Sequence, residues 1–111
     1  MSISEKCHGL ATSLFEAWVF IDSARRYASV EEKEKALTAS INARAAIYDC
    51  EKEASLLPDE AKALNGDLNR VIGEIEWGKF PDARDRLEAL SEQVFMSSLQ
   101  KVVKCECGDK K

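Results

Sequence analysis

The sequence predicts an all-α fold, an up-down-up-down antiparallel four-helix bundle with a longer N-terminal hairpin, and three observations lead there. Charged residues make up 32% and hydrophobic residues 45% of the 111-residue chain, with only five glycines and two prolines, which suits long amphipathic helices and leaves few turn residues for a β fold. Apolar residues recur in alternating steps of four and three, the period of a helix face. Breaks near Ser29, Pro58 and Gly78 divide that pattern into four segments. The length suits one domain, residues 1–104, followed by a flexible, cysteine-containing tail at 105–111.

The first helix is expected from Ser2 or Ser4, either of which accepts from the free amides of a first turn, to about Ala28. Its seam is Ile3, Cys7, Leu10, Leu14, Ala17, Ile21, Ala24 and Ala28. At about 100° per residue, Phe15 and Val19 fall to one side of this seam and Phe20 to the other, so the apolar arc is wider than one seam requires. Ser29-Val30-Glu31-Glu32 reads as a capping box that breaks the chain and starts a second helix; the alternative is one continuous helix through Ser29.

The second helix is expected from Val30 to Leu57, ending where Pro58 disfavours helical geometry in the residue before it. Ala36, Ser40, Ala43, Ile47, Cys50, Ala54 and Leu57 form its seam, widened by Leu37 and Ile41, and its small residues let a neighbouring helix approach closely. The third runs from Pro58 or Asp59 to Trp77 on a seam of Ala61, Leu64, Leu68, Val71, Ile72 and Ile75. Gly66 and Gly73 lie inside it, each costing about 1 kcal/mol relative to alanine, so either a close helix contact or a local break at Asn65-Gly66-Asp67 is expected.

Gly78-Lys79-Phe80-Pro81-Asp82-Ala83 is the clearest turn. Gly78 suits a left-handed helix end, Pro81 suits the first turn of a new helix, and Phe80 staples the two together. The spacing of Gly78, Phe80 and Ala83 resembles the inter-helix turn of tetratricopeptide repeats; the resemblance is confined to this hairpin, because no copy recurs along the chain at that repeat's period. The fourth helix is expected from Pro81 to Val103, with Ala83, Leu87, Leu90, Val94, Phe95, Leu99, Val102 and Val103 facing inward. At 1.5 Å per residue the first two helices would be roughly 40 Å long and the last two roughly 30 Å, which makes the N-terminal hairpin the longer.

The net charge of -4, with acidic and basic residues interleaved, provides no basic stripe for nucleic acid or an anionic membrane. No apolar run reaches spanning length, and the N-terminus lacks the pattern of a signal peptide. Four cysteines without an export signal suit reduced thiols in the cytoplasm.

In the predicted bundle, Cys7, His8, Cys50, Cys105 and Cys107 gather at one end, a donor set with the chemistry of a zinc site or of thiol exchange. Against this, Cys7 and Cys50 fall on core seams, where cysteine acts as a small hydrophobe, and Cys105 and Cys107 are more closely spaced than zinc-knuckle ligands. His8 lacks the surrounding pattern of histidine phosphotransfer domains, and a chain with one histidine lacks the Glu-x-x-His pairs of ferritin-like di-iron bundles. Glu31-Glu32-Lys33-Glu34 has no second carboxylate set of the kind that holds magnesium in nucleotide pyrophosphohydrolase bundles. Glu51 with Glu53, and Glu74 with Glu76, diverge on their helices.

No catalytic motif emerges. The expected function is non-enzymatic: a protein–protein interaction module that self-associates, as a homodimer, through Phe15, Val19 and Phe20, with no cofactor. The alternative is a thiol-based metal or redox bundle holding zinc.

Overall fold

The computed structural model describes the backbone of residues 5–52 and 58–109 and the side chains of residues 14–52 and 58–97. It contains four helices, α1 (Glu5–Ser29), α2 (Lys33–Lys52), α3 (Pro58–Glu76) and α4 (Phe80–Asp109), and among the described residues no strand. Consecutive helices pack on one another and α1 closes the ring against α4. The result is a compact helical bundle with one continuous core.

That core follows the predicted seams. Leu14, Ala17, Ile21, Ala24 and Ala28 of α1 are buried against Ala36, Ala43, Ile47 and Cys50 of α2 and the larger Leu64, Leu68, Val71, Ile75, Leu87, Leu90 and Val94 of α3 and α4. The small side chains of α2 allow the close approach their size predicts. Ser40, fully buried among them, donates its hydroxyl to the Ala36 carbonyl at 2.8 Å, so the polar atom does not penalise the core. Between helices, Arg86 on α4 donates to Glu74 on α3 at 2.9 Å, and Arg44 on α2 donates to Asn69 on α3 at 2.7 Å.

Both described inter-helix turns use one geometry. At the end of α3, Gly78 has φ 75°, its N–H bonds the Ile75 carbonyl at 3.0 Å, and the Lys79 N–H bonds the Glu74 carbonyl at 2.8 Å. This paired arrangement closes a helix through a left-handed residue, as Gly78 was expected to do. At the end of α1 the same bonds run from Glu31 to the Ala28 carbonyl (3.1 Å) and from Glu32 to the Tyr27 carbonyl (3.0 Å), with Glu31 at φ 57°. A glutamate thus occupies a position that favours glycine.

This turn corrects the expected capping box. Ser29 is the last residue of α1, and its hydroxyl donates back to the Arg25 carbonyl at 2.9 Å instead of receiving amides of α2. The Glu32 carbonyl accepts the first bond of the next helix, from Ala36, and α2 begins at Lys33, not Val30. The alternative of a continuous first helix also fails, because α1 ends at Ser29. By contrast, α3 runs unbroken through Asn65-Gly66-Asp67.

Two further expectations change. The helix α4 extends to Asp109, past the expected end at Val103, and takes in residues 105–109 of the expected tail. Phe95, expected to face inward, is 44% exposed. It follows the buried Val94 by one residue, about 100° round the helix, so one seam cannot hold both.

Candidate functional site

The residues outside the α1 seam separate as their angular positions require. Phe15 is 52% and Val19 39% exposed on the side of α1 that leads to α4. Trp18, half-buried between α1 and α4, stacks against Phe15 with ring centroids 5.5 Å apart and planes inclined by 28°. On its other side it meets Phe95 of α4 at 6.1 Å and 50°. Phe15, Trp18 and Phe95 therefore form a chain of ring contacts across the α1–α4 seam, with Val19 beside it, in the offset and tilted geometries that aromatic quadrupoles favour.

Two of these four residues, Trp18 and Phe95, are not among the site residues the sequence suggests: Phe95 falls on the expected α4 seam, and Trp18 also packs against the core. The signal for Phe95 was present in its adjacency to Val94; nothing local indicated that Trp18 would bridge Phe15 and Phe95.

Phe20 belongs elsewhere. It is partly buried on the α2 side of α1, packed against the core, and lines a cleft of about 480 Å³ with Tyr27, Ser23 and Thr38. The Lys35 ammonium lies 5.7 Å from the centroid of the Tyr27 ring at that cleft. Phe15 and Val19 thus lie on the α4 side of α1 and Phe20 on the α2 side, on either side of the seam as their angular positions put them.

One turn along α1, the Asp22 carboxylate bonds Arg25 at 2.7 Å and Arg26 at 3.1 Å, closing that end of the aromatic face with paired charge. The side chains of the face exchange no protons, so it contributes apolar area and ring contacts. Elsewhere, Ile41 and Tyr48 flank Ala45 on an α2–α3 groove of about 470 Å³ that also includes Asn65, and Trp77 is 84% exposed at the α3–α4 turn.

A larger groove, about 560 Å³, runs between α3 and α4 and is lined by Asp67, Glu74, Asp82, Asp85 and Arg86. Arg86 is held more firmly protonated than a free guanidinium, chiefly by its hydrogen bond to Glu74, with Asp67 and Asp82 adding to the field. Burial opposes this and is outweighed.

Of the candidate metal donors, Cys50 is fully buried in the core, at the position its seam predicts. The side chains of Cys7, His8, Cys105 and Cys107 lie outside the described residues. Among the described residues no group of three histidine, cysteine or carboxylate side chains is placed to hold a metal ion, and no helix is long and apolar enough to cross a membrane.

No protein-family model, curated protein or solved structure matches the chain.

Proposed function

We propose that this protein is a non-enzymatic cytoplasmic interaction module that self-associates through the α1–α4 face formed by Phe15, Trp18, Val19 and Phe95. The observation that carries the reading is the exposed chain of rings. A folded monomer gains nothing from leaving two phenylalanines half in water, and exposed aromatic surface usually marks a partner site. Phe15, Val19 and Phe95 together leave about 250 Å² of apolar surface exposed per copy, judged from their exposures and typical side-chain areas. Doubled by a twofold axis, that is the apolar middle of a standard interface, whose remainder is polar rim.

A second copy is the simplest occupant, because a twofold contact needs one self-complementary patch and not a matched pair. The fitting rim is the Asp22–Arg25–Arg26 cluster, in which one carboxylate holds two guanidiniums and leaves one positive charge over.

Light scattering across a concentration series tests the reading. The wild type is expected at twice the chain mass, and Phe15→Glu or Phe95→Glu at the chain mass with unchanged helicity. Each dimer would contain the introduced charge twice, so one substitution acts on both sides of the contact. A wild type that stays at the chain mass up to millimolar concentration would remove self-association through this face.

A further inference from the structure

We propose that Asn65–Gly66 is a spontaneous deamidation site whose reaction is gated by local opening of α3. The chain has three asparagines, and only Asn65 precedes a glycine; Asn42 and Asn69 precede Ala43 and Arg70. The Asn65 amide oxygen is buried without a hydrogen-bond partner, so burial penalises that side chain and no bond to its oxygen tethers it.

Gly66 is exposed, and a β-carbon built there would meet nothing within 4 Å; the same holds for Gly73. Neither glycine is explained by the close helix contact that the sequence suggested. Both weaken α3 without a packing return, in the helix that packs most lightly on its neighbours. Opening of its middle turn is correspondingly cheap.

The chemistry needs only water. The Gly66 backbone nitrogen, unhindered by a side chain on its own residue, gives up its proton to solvent and attacks the Asn65 side-chain carbonyl carbon. A carbon–nitrogen bond forms, the bond to the amide nitrogen breaks, and that nitrogen leaves as ammonia with a proton taken from water. Water then opens the five-membered imide at either carbonyl, giving aspartate or isoaspartate at position 65.

Inside α3 the Gly66 N–H is committed to the carbonyl four residues earlier, and helical geometry keeps its nitrogen away from the Asn65 side chain. Attack therefore requires the turn to unwind. The product does not fit back: a carboxylate replaces a buried neutral oxygen, and isoaspartate lengthens the backbone by one atom and breaks the hydrogen-bond register. Chains whose α3 has opened are marked by a one-way chemical change.

Peptide mapping with isoaspartate detection on the full chain, in native buffer and in concentrated urea, tests this. Position 65 should convert in both, more slowly in native buffer. Gly73→Ala, remote from the reacting atoms, should slow the native reaction about fivefold, the effect of one helix glycine on the opening equilibrium, and leave the urea rate unchanged. Gly66→Ala should suppress conversion in both, whatever its effect on the fold. No conversion in native buffer while the urea sample reacts, or a native rate indifferent to Gly73→Ala, would overturn the proposal.

Discussion

Replacing Glu31 by glycine should stabilise the protein, although it removes a side chain and enlarges the entropy of the unfolded chain. Glu31 sits at φ 57° and closes α1 through bonds from its own amide and that of Glu32. A residue with a β-carbon in that conformation costs about 1–2 kcal/mol. Glycine removes the penalty and gives back about 0.4–1 kcal/mol through its greater freedom when unfolded. The Glu31 side chain is exposed and, among the described residues, has no ion-pair partner, so little else is lost. The net expectation is stabilisation by about 0.5–1 kcal/mol, or about 2–4 °C in Tm for a domain of this size. Urea and thermal unfolding followed by circular dichroism at 222 nm measure both. Glu31→Ala serves as the control, because it removes the carboxylate and keeps the strained backbone, and should change stability by less than about 0.5 kcal/mol. If the glycine variant is no more stable than the alanine variant, the left-handed closure of α1 is wrong.

The equivalent position at the other turn gives the opposite sign: Gly78→Ala should destabilise by about 0.5–1 kcal/mol in the same unfolding assay, because no packing obstacle exists and the backbone penalty outweighs the entropy removed from the unfolded chain. Arg86→Ala should cost about 1 kcal/mol, a figure reduced for the solvent that reaches the pair, by leaving Glu74 facing Asp67 and Asp82 without a cation. Since Glu74 raises the Arg86 pKa above its unfolded value, the pair's contribution from Arg86 is complete at all pH values below the unfolded one and is lost only in strong alkali. The wild-type and Arg86→Ala denaturation midpoints, compared from pH 6 to 9, should therefore differ by a constant amount.

The core was legible because it depends on one local quantity, the phase of apolar residues along a helix. Leu14, Ile21, Ile47, Leu68 and Leu87 all lie where that phase puts them. Gly78 was legible because glycine alone signals its backbone conformation. Glu31 was not, since the same conformation is reached there without glycine and only the bonds around it show it. Ser29 failed for a related reason: its hydroxyl can serve the helix before it or the helix after it, and the choice follows from where the backbone turns. The helix phase of α1 correctly put Phe15 and Val19 on the opposite side from Phe20. Which side would meet α4 and which α2 depends on how the bundle closes, a property of the whole chain. Trp18 gained its role from that closure.

The ring contact between Trp18 and Phe95 joins the two helices that are farthest apart in sequence. The two described turns can each organise their own pair of helices early, because little chain entropy is lost in closing a three-residue connection, whereas α1 and α4 meet only after the intervening chain has been arranged. The proposed interaction face is therefore among the last features to exist during folding. A nascent or partly unfolded copy has Phe15 and Phe95 but not the surface they form together, so association through this face would select finished molecules.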